Sequence, residues 1–128
     1  MLFRSIRSVK MGTLIPAGRE APLRLADALQ KGQHVAILVD QYFTNGVDVT
    51  FFGRKTKANP TLARLLRQIE CPIHGVRIIR LPGHRFRAEL SEEVPPVRDA
   101  SGQIDVQGTM QAITSVVEGW IRDRRAHV

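Results

Sequence analysis

An apolar run that ends on a carboxylate is the first place in this chain where residue type and spacing suggest chemistry. His34 to Val39 (HVAILV) closes on Asp40-Gln41, a polar turn follows through Gly46, and Phe51-Phe52-Gly53-Arg54 ends the stretch. Val35, Ile37 and Val39 alternate with smaller or branched residues, which predicts a buried strand of a parallel sheet. Ligands gather outside the carboxyl ends of such strands, where Asp40 would stand. An Asp in that position also commonly opens a turn or caps a backbone N–H, so both readings of Asp40 stay open. Arg54 carries the planar fork that grips phosphate. Gly53 allows close backbone approach or completes a turn. Phe51 and Phe52 suit either an apolar wall or ordinary core packing.

Other reactive side chains are few. Cys71 stands alone, so it forms no internal disulfide, and without a His-Asn context it reads as a buried core thiol. The formal charge is +7, and arginine supplies 15 of the 19 cations. An arginine-heavy balance suits a phosphorylated substrate or an anionic lipid surface, and it equally suits nucleic acid. Tyr42, Phe43, Phe51 and Phe52 do not form a recognisable RNA-stacking motif. Lys55 and Lys57 extend the basic character, with a solvated loop as the plainer account.

The elements that must position these residues alternate along the chain. Pro22 opens a short helix carrying Leu23, Leu25, Ala26 and Leu29, and Lys31-Gly32 stops it. Val47 to Phe52 alternates as a short edge strand or hairpin arm, after a turn at Thr44-Asn45-Gly46. Asn59-Pro60 is a strong helix start, followed by the stripe Leu62, Leu65, Leu66 and Ile69, with Arg64 and Arg67 on other faces. Pro72 to Leu81 predicts a strand, Pro82-Gly83 a turn, and Arg85 to Leu90 a second arm. Ser91 to Gln103, with Pro95-Pro96, reads as a surface loop. From Asp105 onward Val106, Met110, Ile113, Val117, Trp120 and Ile121 mark one side of a final helix. The order predicts an α/β layer, a mixed sheet with flanking helices. At 128 residues, without an internal repeat or linker, the chain amounts to one domain, and no run of about twenty apolar residues occurs in it.

The order and spacing of these segments resemble the lipid A biosynthesis acyltransferases, the late acyltransferases that place lauroyl or myristoyl chains on the lipopolysaccharide precursor. The likeness rests on Arg7, Met11-Gly12, Leu14-Ile15, Asp40-Gln41, Gly46, Phe51-Phe52, Gly53-Arg54, Asn59-Pro60-Thr61, Cys71-Pro72-Ile73, Arg85-Phe86-Arg87-Ala88 and the stretch Thr109 to Trp120. It implies the C-terminal half of the glycerolipid (lysophospholipid) acyltransferase fold. Residues 1–121 would be a partial acyltransferase domain and residues 122–128 a divergent tail. A half-fold implies an exposed sheet edge and self-association.

Members of that family use a His and an acid spaced His-x4-Asp/Glu, upstream of the part matched, together with an N-terminal apolar anchor. Here His34, His74 and His127 lack an acid at that interval. His84 has Glu89, but in a turn and strand residues five apart point to opposite faces. The expectation is therefore no catalytic residue in this chain, and doubtful activity on its own. The resemblance implies transfer of a fatty acyl group from acyl carrier protein to a hydroxyl of the phosphorylated glucosamine lipid precursor, with His as general base. It implies Arg7, Asp40, Gln41, Phe52, Gly53 and Arg54 as substrate-binding residues, with no metal and no cofactor. The implied partners are acyl carrier protein, the lipid A precursor and the membrane surface, at the cytoplasmic face of the bacterial inner membrane, with no nucleic acid. The alternatives are a basic non-catalytic remnant of the family or a nucleic-acid-binding module.

Overall fold

The computed structural model describes residues 14–16, 18–39 and 42–126. The chain divides into two compact units, residues 1–36 and 37–128. The first contains helix α1 (Ala21–Gln30), whose start holds Pro22 in the first turn as expected. Its end is a Schellman stop: the Gly32 N–H donates to Leu29 O and the Gln33 N–H to Ala28 O, both at 3.0 Å. Gly32 takes φ of +77°, a conformation that favours glycine. The apolar stripe runs through Leu25 and Ala26, whereas Leu23 is exposed.

The run His34 to Val39 passes from the first unit into the second. Val35, Ile37 and Val39 are indeed the less exposed positions of the run, but residues 33–39 form no strand. No described strand lies alongside to take their backbone groups, and Leu38 is 72% exposed. A period of two marks extended backbone, and only a neighbouring strand turns it into a sheet.

Two hairpins and two helices make up the rest. Strand β1 (Tyr42–Phe51) pairs antiparallel with β2 (Arg54–Ala58), and β3 (His74–Leu81) pairs antiparallel with β4 (Arg85–Glu93). The α/β class therefore stands, but the single mixed sheet resolves, among the described residues, into two separate two-stranded antiparallel sheets. Thr44-Asn45-Gly46 do not turn the chain. They sit in an irregularity of β1, where both Tyr42 and Val47 lie opposite Ala58. A side chain on Gly46 would collide with the Ala58 carbonyl, so glycine is required there.

Helix α2 (Thr61–Gln68) starts as Asn59-Pro60 predicts, with Asn59 Oδ1 accepting from the Thr61 N–H (3.0 Å) and hydroxyl (2.6 Å). It buries Ala63, Leu65 and Leu66 and leaves Arg64 and Arg67 exposed. Helix α3 (Val106–Ala126) begins at Asp105, whose carboxylate accepts from the Gly108 N–H at 3.0 Å. The core joins Val49, Ala58, Ala63, Met110 and Ile113, so α2 and the start of α3 close over the first hairpin. Thr109, fully buried, accepts from the Val97 N–H at 3.0 Å and pins the preceding loop. Cys71 is half-buried, not the core thiol expected.

Candidate functional site

The β1–β2 turn gathers three of the residues singled out by sequence. Phe52 and Gly53 form a two-residue hairpin loop with φ of +52° and +76°. Positive φ at both central positions is the type I′ signature, whose twist matches the flanking strands. Glycine adopts it freely, but a bulky aromatic is strained there and persists only when its surroundings hold it.

Helix α3 supplies that hold. The Phe52 N–H donates to Glu118 Oε1 at 2.5 Å, and the Arg122 guanidinium lies 5.0 Å from the Phe52 ring centroid. Arg122 also pairs with Glu118 at 3.2 Å, one helical turn away. Phe51 meets Phe52 edge to face, with centroids 4.8 Å apart.

The same helix closes the outer edge of β1. Gln111 accepts from the Thr50 N–H at 2.7 Å and donates to the Thr50 carbonyl at 3.0 Å, and Gln107 donates to the Asp48 carbonyl at 2.8 Å. Residues 48, 50 and 52 are alternate positions, so a row of outward backbone groups is met by side chains at 107, 111 and 118. This edge is thus covered rather than open to another chain. Sequence reasoning missed Gln107, Gln111, Glu118 and Arg122. The only available signal was their recurrence on one face of the last helix, three or four residues apart or a multiple of that.

Beneath this clamp lies a recess of about 140 Å³, bounded by Val39, Tyr42, Val49, Phe51 and Ala58 on the extended segments and Thr114 and Val117 on α3. An apolar cavity of about 150 Å³ accommodates a benzene ring, so hydrocarbon of that girth fits. The two aromatics divide their roles: Phe51 lines the recess, while Phe52 sits in the turn under Arg122. Arg54 faces Phe51 across the ladder, exposed, with no ion pair among the described residues. Lys57, at the recess wall, is tied to Asp48 at 2.8 Å. That hydrogen bond and charge hold the Asp48 carboxyl below, and the Lys57 ammonium above, their ordinary values.

The other candidates fall elsewhere. Arg7, Asp40 and Gln41 lie outside the described residues, although Val39 and Tyr42, which flank Asp40-Gln41 in sequence, both line the recess. His84 occupies the β3–β4 turn with φ of +59°, and the Glu89 carboxylate is taken by Arg77 (2.8 Å) and Arg87 (3.1 Å). No hydrogen bond or ion pair joins that His to that acid among the described residues. A second groove, near Arg67 and Arg98, has its cations occupied: Arg67 donates to the Ile104 carbonyl and Arg98 pairs with Glu70. Among the described residues no cluster of His, Cys, Asp or Glu suits a metal, and no helix is long and apolar enough to cross a membrane.

Fold and recess together define an α/β protein with a small apolar hollow beside a strained, arginine-flanked turn. The chain belongs to the family of bacterial lipid A biosynthesis acyltransferases, whose family model matches residues 2–127. No curated protein matches it.

Proposed function

We propose that this chain forms the acyl-holding wall of an acyltransferase of lipid A biosynthesis. The reaction moves a fatty acyl group from acyl carrier protein to a hydroxyl of the phosphorylated glucosamine lipid precursor. The recess lined by Val39, Tyr42, Val49, Phe51 and Val117 carries this reading, because it offers hydrocarbon a mainly apolar wall, and Arg54 stands exposed across the ladder from Phe51. Arg54, with Arg7, meets phosphate or the acidic carrier protein. Asp40 and Gln41, between two recess-lining residues, contact polar parts of the substrate or steady the catalytic pair. Phe52 and Gly53 set the turn that aims Arg54, and Gly53 lets substrate approach the backbone.

An alcohol attacks a thioester poorly unless its proton is removed during attack, and among its described residues this chain offers no His-acid pair for that step. In this reading residues 1–121 act as part of a catalytic domain whose general base lies outside the chain, at the cytoplasmic face of the inner membrane. Fluorescent fatty-acyl probe binding tests the wall. The chain should bind the probe, and Val117→Phe, which fills the recess from a half-buried position, should abolish binding. Equal binding by both would sink the reading. With acyl carrier protein donor and lipid A precursor, the chain alone should show no turnover.

A further inference from the structure

The second hairpin wears its apolar side outward, and that side ends in opposite charges. Cross-strand pairing places Val76 opposite Leu90, Ile78 opposite Ala88 and Arg80 opposite Phe86, so these six share one face. His74 continues the alternation of β3 on that face, and its partner Glu93 stands with it at the open end, beyond the irregularity between His74 and Val76. Val76, Ile78, Phe86 and Leu90 are 57%, 58%, 60% and 69% exposed. Four large apolar side chains in one contiguous exposed patch mark an interaction surface. Arg80 near the tip and Glu93 at the open end are both exposed, and neither enters an ion pair among the described residues. Arg77, Arg85 and Arg87 belong to the opposite face, which Arg77 commits to α3 through Asp123 (3.3 Å) and Trp120 (5.9 Å to the centroid).

We infer that the outward face of β3–β4 packs on the same face of a second copy of this chain, with the tip of each hairpin over the open end of the other. The charges select both the occupant and the orientation. Positions 74 and 80 are six residues apart on β3, about 20 Å. A two-fold axis running across the strands between the Val76 and Ile78 levels exchanges the two ends, which brings each Arg80 over the partner's Glu93. Stacked sheets lie about 10 Å apart, a gap that an arginine and a glutamate close by reaching toward each other. A two-fold along the strands would instead set the two Arg80 side chains together at one end and the two Glu93 side chains at the other, leaving four charges unpaired. With tip over open end, Val76, Ile78, Ala88 and Leu90 meet their own copies at the centre, and Phe86, 5.7 Å from Arg80 within its own chain, flanks the ion pair. The face is thus its own complement, reading cation, apolar centre, anion. Two strands wide and about 20 Å long, it is small beside the roughly 800 Å² per partner of a standard interface, so association belongs in the micromolar range.

Sedimentation equilibrium of the whole chain across the micromolar range tests this. The expected result is a reversible equilibrium of monomer and dimer, which Ile78→Ser with Leu90→Ser shifts wholly to monomer. Arg80→Glu and Glu93→Arg, each alone, should weaken the dimer by about tenfold, because every contact occurs twice, and the two together should restore it. Circular dichroism should show all these variants folded, since every altered side chain is exposed. A chain that stays monomeric throughout, or a charge exchange that fails to restore association, overturns the inference. So do larger species that persist in Ile78→Ser with Leu90→Ser, which would give association to a strand edge rather than to this face. The inference stands apart from the acyl-wall reading. Val117→Phe should leave the dimer unchanged, and the face variants should leave probe binding unchanged, so each can fail alone.

Discussion

The two hairpins share a topology and differ in which face they bury. In β1–β2 the apolar residues Val49 and Ala58 point into the core, and α3 covers the outer edge of β1 with Gln107, Gln111 and Glu118. In β3–β4 the side turned toward α3 is the charged one, organised by Arg77, Glu89 and Asp123, while Val76, Ile78, Phe86 and Leu90 face outward. Alternation with period two is equally clear in both. It shows that a strand has two unlike faces, and the surroundings decide which is covered.

Matched substitutions offer the sharpest way to break this contrast. Met110→Ala, beneath the first hairpin, should cost about 2–5 kcal/mol in urea unfolding, because a fully buried side chain leaves a cavity. Gly46→Ala should cost about 1–3 kcal/mol by forcing the β1 irregularity away from Ala58. Gln111→Ala, which leaves the exposed Thr50 N–H and carbonyl to water, should cost about 0.5–1.5 kcal/mol. Ile78→Ser on the second hairpin should stay within about 0.5 kcal/mol, whereas Val49→Ser should resemble Met110→Ala. A large loss at Ile78 would mean that its face is covered after all and would dissolve the comparison.

The smallest effect is electrostatic. The lowered Asp48 value means its contribution is present above the unfolded carboxyl range and is lost as pH falls through the folded value. The raised Lys57 value means its contribution is full below the unfolded ammonium range and fades as pH rises through the folded value. The pair therefore helps across neutral pH. Acid unfolding of Asp48→Asn and the parent chain should converge below the usual carboxylate range, and persistence of a difference there would deny the pair this role. Being exposed, the pair should move stability only slightly.

Local punctuation was legible in the sequence. Asn59-Pro60 starts a helix, Lys31-Gly32 ends one, and Pro82-Gly83 turns a hairpin, each through chemistry contained within a few residues. What escaped depends on distant partners. His34 to Val39 reads as a strand, but strand status depends on a neighbour that no local pattern reports. The Gln111–Thr50 and Glu118–Phe52 bonds join residues 61 and 66 positions apart, so no spacing rule announces them. Within the candidate site, Phe52-Gly53-Arg54 fall together because they are consecutive. That Phe51 rather than Phe52 lines the recess follows from a turn conformation that the phenylalanine pair does not advertise.

Helix α3 spans 21 residues, about 31 Å, and touches both hairpins at different heights. Its early turns present Gln107 and Gln111 to β1, and its later turns bring Trp120 and Asp123 to Arg77. Each residue advances such a helix by about 100° and 1.5 Å, so the two hairpins are phased to one another like cams on a single shaft. Insertion of one alanine after Ser115 would keep Gln107 and Gln111 on β1 but swing Glu118 and Arg122 away from the β1–β2 turn, together with the contacts of the second hairpin. Insertion of a full heptad would restore the angle and change only the reach. The helix thereby sets both the rotation and the distance at which the recess meets whatever the outward face engages.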